Sequence, residues 1–275
     1  MVSLSTNLLK IGIKELAPSI AKLINFSITT KEFPTEWKTA RVAALFKAGD
    51  LTDVNNFRPI SILPALSKII ERHIHDILSQ YLKNHNLIYS SQSGFREKYS
   101  TETALVNIIN SLLMNIDNNQ VNGMLLVDYK KAFDMVDHQI LFTKLELYGL
   151  GPDALNWFKS YLSNRRHEYV QFKGKSSPTR FITEGVPQGS ILGPLLFLLF
   201  INDLPLHIQS SQTDLFADDT TIIASSDHKH ISDLEKKLSK EVSNVDEWAN
   251  TNKLPLNADK TKILLVQGKR LHTIT

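Results

Sequence analysis

The chain has no cysteine, which excludes disulfides, a zinc knuckle and a thiol nucleophile within it and leaves the redox compartment open. It also lacks a long apolar stretch. The most apolar run, Leu195 to Ile201, is seven residues long, against about 20 for a bilayer span, so it reads as a buried helix and no membrane partner is expected. No charged segment followed by a long apolar run marks the start at Met1. A secretory signal is therefore not expected, and the expected setting is intracellular, nucleus or cytoplasm. Fixed-period repeats and low-complexity segments are missing too, which excludes a solenoid or an array. Nor is there a strong charge of either sign: 31 Lys and Arg face 28 Asp and Glu, a net charge of +3. That balance permits nucleic-acid binding without suggesting it.

What is present is ordinary globular material. The 275 residues are 42% hydrophobic and 21% charged, enough for a sizeable core in one large domain or two packed subdomains. Apolar spacing predicts a helix over Leu8 to Ile28, ending in a turn near Phe33 and Pro34. A short strand follows at Arg41 to Phe46, then Lys47-Ala-Gly-Asp50 with turn chemistry and an extended Phe57-Arg-Pro-Ile60, together a basic hairpin-like loop. Amphipathic helices are expected at Leu66 to Leu82 and Thr101 to Ile116, the latter capped by Thr101 or Thr103. Met124 to Val127 reads as a buried strand delivering Asp128 at its end. Helices at Asp137 to Tyr148 and Pro152 to Leu162 precede strands at Tyr169 to Phe172 and Phe181 to Thr183, separated by Gly174 and Pro178. The turn Gly185 to Ser190 opens the apolar helix near Ile191. Thr213 to Ala217 and Thr221 to Ala224 make a hairpin with Asp218-Asp219 at its tip. A helix at Ile231 to Asn250 and a strand at Ile263 to Val266 close the chain. Strands and helices alternate without a strict βαβ repeat, which favours an α+β fold.

An Asp that ends a strand usually caps or turns, and adjacent acids at a hairpin tip are often turn residues. Taken together, three carboxylates at strand ends 90 residues apart can converge on one sheet surface and hold hard cations such as Mg²⁺, which want oxygen ligands. Such a pair of ions serves phosphoryl transfer. The tryptophans Trp37, Trp157 and Trp248 read as packing anchors. The His73/His75 and His228/His230 pairs have the wrong spacing for one helical face and read as surface residues.

Leu126-Val-Asp-Tyr-Lys-Lys-Ala-Phe-Asp134, Gly185-Val-Pro-Gln-Gly-Ser-Ile-Leu-Gly-Pro194 and Phe216-Ala-Asp-Asp-Thr220 resemble, in order and spacing, the A, B and C motifs of non-LTR (LINE-type) retrotransposon reverse transcriptases. Phe57-Arg-Pro-Ile-Ser61 and Gln92-Ser-Gly-Phe-Arg96 resemble finger motifs of the same family, closest to the jockey-like elements. The similarity runs from about Leu8 to Gln267. It implies right-hand polymerase fingers and palm, with helices packed on an antiparallel palm sheet. Residues 1–120 are expected as N-terminal extension and fingers and 121–275 as palm with motifs A to D. No endonuclease, thumb or Cys-rich tail is recognisable, so a fragment of a polyprotein is expected.

The resemblance further implies an RNA-directed DNA polymerase that uses two Mg²⁺ (or Mn²⁺) ions, an RNA template, a DNA primer and deoxynucleoside triphosphates. Asp128 and Asp218 would hold both metals, with Asp219 beside them and the backbone carbonyl of Tyr129 assisting. Phe133 stands at the sugar-gate position, where a bulky wall meets a ribose 2′ hydroxyl; a core aromatic is its plain alternative. Lys47 and Arg58 match positions that grip the incoming triphosphate. Gln188 matches a residue lining the nucleotide and template pocket, and Lys260 resembles the motif D lysine that protonates pyrophosphate, with Lys262 nearby. Ala44, Tyr129, Lys130 and Met135 depart from the family pattern without removing a ligand. A catalytically inactive remnant acting as a nucleic-acid-binding module is the competing reading, and an RNA-dependent RNA polymerase is a third, opposed by the ring at Phe133.

Overall fold

The computed structural model describes residues 6–172 and 175–268. In chain order it forms helices α1 (Thr6–Ile11) and α2 (Ile13–Thr30), strands β1 (Thr39–Phe46) and β2 (Phe57–Ile62), and helices α3 (Ala65–Asn84) and α4 (Thr101–Asp117). Strand β3 (Gln120–Val127), helices α5 (His138–Leu147) and α6 (Pro152–Leu162), and strands β4 (Arg165–Phe172), β5 (Lys175–Ser176) and β6 (Arg180–Ile182) follow. Helix α7 (Leu192–Ile201), strands β7 (Gln212–Phe216) and β8 (Asp219–Asp227), helix α8 (Ile231–Thr251) and strand β9 (Lys262–Val266) complete it. Helices and strands are mixed without a βαβ repeat, so the fold is α+β. Gly174, expected as a separator between strands, lies outside the described residues.

The chain packs as two compact units, Met1–His85 with Val136–Leu196, and Asn86–Met135 with Phe197–Thr275. In the first, β2, β1, β4 and β5 lie side by side, with β6 also on β4. Strands β1 and β2 form an antiparallel hairpin, whereas β1 and β4 run parallel. Phe33 anchors this unit. Only 2% exposed, its ring stands edge-on to Trp157 and Tyr161 at 5.7 and 5.0 Å, and the Arg165 guanidinium lies 5.3 Å from its centre. Trp157 Nε1 donates to Ser27 Oγ at 3.1 Å, tying α6 to the end of α2. Trp157 is thus a packing anchor with its polar end satisfied.

Glu71 is the polar centre of the same unit. It sits fully buried on α3, where its carboxylate accepts Ser67 Oγ at 2.6 Å and the Ile191 N–H at 2.7 Å. A buried carboxylate is tolerated only when donors surround it, and the start of α7 supplies orphan N–H groups and a positive dipole end.

The second unit holds an antiparallel sheet in the order β7, β8, β3, β9. Helix α8 lies on it through Leu234, Leu238, Val245 and Trp248, all buried. Gly123 makes the close approach possible, since a Cβ there would stand 2.4 Å from Leu238 Cδ1. Residues Phe197 to Ile201 of α7 are at most 1% exposed; a helix apolar on every side is a buried one.

Several expectations change in detail. The first helix breaks in two at Gly12. Ser100, not a threonine inside the helix, caps α4: its Oγ accepts the Thr103 N–H while Thr103 Oγ1 accepts the Ser100 N–H, a reciprocal pair. The β1–β2 hairpin forms as expected, but from Lys47 to Ile60 it is charge-balanced rather than basic, Lys47 and Arg58 standing against Asp50 and Asp53. Asp50 accepts Thr52 N–H and Oγ at 2.8 Å each, which holds its carboxyl below the usual carboxylate range and spends it on the turn. Among the described residues no helix is long and apolar enough to cross a membrane.

Candidate active site

Strand register brings the acids together. Val127 at the end of β3 pairs with Thr220 of β8, so the next residue, Asp128, comes level with Asp219, the first residue of β8. Asp219 in turn pairs with Phe216, which leaves Ala217 and Asp218 as a two-residue turn between β7 and β8. Asp128 and Asp218 are half-buried, and Asp219 is exposed at the rim. Partial burial of its carboxyl first, and the charge of Asp128 second, hold Asp219 above the ordinary carboxylate range. Like charges are therefore gathered at one end of the sheet, Asp128 raising the proton affinity of Asp219.

Ala217 adopts a left-handed φ of 57°, a strained state for a residue with a Cβ, of the kind kept where neighbours over-determine it. Gln92 is that neighbour. Fully buried, its Oε1 accepts the Ala217 N–H at 3.0 Å and the Gly94 N–H at 2.8 Å, while Ser93 N–H donates to Leu215 O at 2.8 Å. Segment 91–94 is thus laid along β7 and clamps the acid turn. Gly94 has no room for a side chain: a Cβ would stand 2.2 Å from Ala217 N and 2.9 Å from its Cα.

Asp128 is held from its other side. Its carbonyl accepts the Asn257 N–H at 2.8 Å, its Oδ2 accepts Asn257 Nδ2 at 2.7 Å, and its own N–H donates to Thr261 Oγ1 at 3.3 Å. Lys130 N–H donates to Pro255 O at 2.8 Å, extending the same seam. Tyr129 turns its side chain into the core, edge-on to Trp248 at 6.2 Å, so only its backbone is left for the site. Burial foremost, together with the Asp218 charge, keeps its phenol protonated.

Phe133 lies in the helical turn Ala132–Met135, its ring stacked on Phe197 with centroids 4.4 Å apart and met edge-on by Phe95 at 6.2 Å. It is half-buried. Packing and an open edge coexist, which accommodates both readings of this residue. Lys260 is exposed in the turn after Asn257, its N–H bonded to Asn257 O at 3.1 Å.

Lys47, Arg58 and Gln188 belong to the first unit. Lys47 N–H donates to Asn56 O at 2.8 Å and Arg58 pairs with Leu45, so both exposed cations stand at the loop end of the hairpin. The carbonyl of Gln188 accepts the Ser61 N–H at 2.7 Å, fixing its turn against β2. Gly189, with φ +106°, allows that contact, since a Cβ would stand 2.6 Å from Ser61 O. Glu71 pins the far end of the turn through Ile191.

Oxygen ligands suit a hard divalent cation, and the mutual repulsion of Asp128 and Asp219 is the electrostatic condition such a cation relieves. Among the described residues, no group of three His, Asp or Glu side chains is gathered as a complete ligand set. The acids therefore fit a cation in charge and donor type, with further ligands to come from backbone, water or substrate.

The sequence matches the family described as reverse transcriptase (RNA-dependent DNA polymerase) over residues 47–272. It is 32% identical over 249 residues to the RNA-directed DNA polymerase from mobile element jockey of Drosophila melanogaster, covering 88% of this chain and 27% of that protein. It is 30% identical to the probable RNA-directed DNA polymerase from transposon X-element of the same species, over 91% of this chain and 28% of that protein. The chain thus spans little more than a quarter of the length of these two curated relatives. Among solved structures, telomerase of Candida tropicalis in complex with a fragment of telomeric RNA superposes with a TM-score of 0.60 at 13% identity, over 91% of this chain and 45% of that one. The apo telomerase of that organism gives 0.58 at 14% identity, over 85% and 51%. With the family match running over most of its length, the chain belongs to the reverse transcriptase (RNA-dependent DNA polymerase) family.

Proposed function

We propose that this chain is the catalytic core of an RNA-directed DNA polymerase, adding deoxynucleotides to a primer 3′ hydroxyl on an RNA template inside the cell. The observation that supports this reading most is the strand register that sets Asp128 level with Asp219 beside the Asp218 turn. In this reading residues 1–120 act as N-terminal extension and fingers, and residues 121–275 as palm.

Asp128, Asp218 and Asp219, with the carbonyl of Tyr129, would hold two Mg²⁺ or Mn²⁺ ions. Bound there, such ions would supply a lowered pKa at the primer hydroxyl and stabilisation of charge on the leaving pyrophosphate. Lys47 and Arg58 bind the triphosphate from the hairpin, Arg58 with two donors in a fixed fork and Lys47 as a point charge. Gln188 lines the nucleotide and template pocket from a turn whose backbone is fixed to β2. Lys260 gives a proton to the leaving pyrophosphate.

Phe133 excludes the ribose 2′ hydroxyl by bulk. Its ring cannot swing aside freely, because Phe197 is stacked on one face and Phe95 meets it edge-on. Trimming it in Phe133→Val opens space at the ring edge and leaves the carboxylates untouched. The ratio of ribonucleotide to deoxynucleotide incorporation efficiency should rise roughly 10-fold or more, the scale set by a few methylenes of pocket wall. An unchanged ratio in a folded variant makes Phe133 a core residue only. The function itself is tested by primer extension on an RNA template with deoxynucleotides and Mg²⁺ or Mn²⁺.

A further inference from the structure

A carboxylate at the end of a strand has two free torsions, and the strand register sets a second carboxylate, Asp219, level with Asp128 on the neighbouring strand. Two acids can share one cation there only if the orientation of Asp128 is fixed. We propose that Asn257 is a positioning residue for Asp128, holding its carboxylate in the orientation that accepts a divalent cation. This rests on the reading that Asp128 is a metal ligand.

Asn257 grips Asp128 twice, its N–H on the Asp128 carbonyl at 2.8 Å and its Nδ2 on Oδ2 at 2.7 Å. Its own carbonyl accepts the N–H of Thr261 at 2.9 Å, which turns the chain back so that Thr261 Oγ1 meets the Asp128 N–H at 3.3 Å. Both ends of the residue are thereby fixed by one short segment. The bond to Oδ2 fixes the carboxylate plane and with it the direction of Oδ1. A neutral donor suits this task. Lys or Arg in its place would hold the carboxylate equally well but cancel the charge that attracts the cation, whereas an amide donates a hydrogen bond and leaves the charge intact.

The plain alternative is that Asn257 serves only its turn, a position that Asp fills about as well as Asn. Asn257→Asp separates the two: it keeps the turn, removes the donor and faces Asp128 with a like charge. The experiment uses the full chain. Mn²⁺ affinity is read from the paramagnetic resonance of free Mn²⁺ for wild type, Asn257→Ala and Asp128→Asn, and single-nucleotide kinetics are read for wild type and both Asn257 variants. Asn257→Ala should weaken Mn²⁺ binding roughly 10- to 100-fold, the usual cost of losing a group that orients a metal ligand. Both Asn257 variants should lose kcat by a similar factor, with KM for the nucleotide within about 3-fold of wild type, since ground-state nucleotide contacts are not removed. Wild-type Mn²⁺ affinity in Asn257→Ala, or wild-type kcat in Asn257→Asp, overturns the proposal. If Asp128→Asn leaves Mn²⁺ binding unchanged as well, the metal-holding reading of Asp128 fails and takes the proposal with it. If Asp128→Asn alone weakens binding, only the role of Asn257 is lost. Should Asn257→Ala not fold, the kcat of Asn257→Asp decides.

Discussion

Asp128→Asn should lower primer extension by about 1,000-fold or more, the scale of the several kcal/mol of charge stabilisation that a correctly held divalent cation supplies. The substitution conserves volume and opens no cavity, so the fold should survive. The amide oxygen can still accept from Asn257 Nδ2, which preserves the seam to the 255–261 segment. Stability should move the other way from activity. Asp219 is held above its ordinary range by burial and by the Asp128 charge, so in the folded state it binds its proton more tightly than in the unfolded chain. Such a group favours folding at low pH and costs stability as pH rises through its unfolded value and it ionises. At neutral pH, removing the Asp128 charge removes part of that cost. The melting temperature of the metal-free variant at pH 7 should therefore equal or exceed that of wild type, with a smaller difference in high salt. A variant that is inactive because it is unfolded would contradict this account.

Gly94→Ala should damage the site from behind. The new methyl would stand 2.2 Å from Ala217 N and 2.9 Å from both Ala217 Cα and the Phe216 carbonyl carbon, all backbone atoms that cannot swing aside. The acid turn must shift or segment 91–94 must leave β7, and either loosens the Gln92 clamp on Ala217. Overpacking of this kind costs about 1–3 kcal/mol, a few degrees in melting temperature for a chain of this size. Activity should fall further than stability, roughly 100-fold, because a misplacement of about 1 Å at reacting groups is worth that much. Gly151→Ala is the control, since a Cβ there meets nothing within 4 Å. Equal activity of the two variants at matched folding would show that the clamp does not set the turn.

The sequence made parts of this site readable for a local reason. An apolar strand that stops at Asp128, and two apolar runs flanking Asp218-Asp219, carry their meaning within a few residues, because strand period and turn chemistry are short-range. The groups that hold these acids were not readable in that way. Gln92 lies 125 positions from the Ala217 it clamps, Asn257 lies 129 positions from Asp128, and Glu71 lies 120 positions from the Ile191 N–H it accepts. A buried polar side chain is explained by its partners, and partners that distant leave no periodic trace. Gly94 and Gly189 did carry a signal, each a glycine inside a recognisable motif, but only coordinates say which backbone each lets approach. The hairpin loop reads as basic from Lys47 and Arg58 alone, whereas Asp50 and Asp53 balance them and bond their own turn. Ser100, Thr101 and Thr103 can all cap a helix, and only the reciprocal bond between Ser100 and Thr103 distinguishes the cap.

Register-paired carboxylates are proposed to make this chain a template-directed DNA polymerase. The most direct measurement is extension of a labelled DNA primer on an RNA template by the purified chain with Mg²⁺ or Mn²⁺ and deoxynucleotides, run beside folded Asp128→Asn. The account predicts template-complementary extension by the wild-type chain that chelation of the metal abolishes and that Asp128→Asn does not support. Binding of template and primer without extension under any divalent cation, or equal extension by the two proteins, would contradict it.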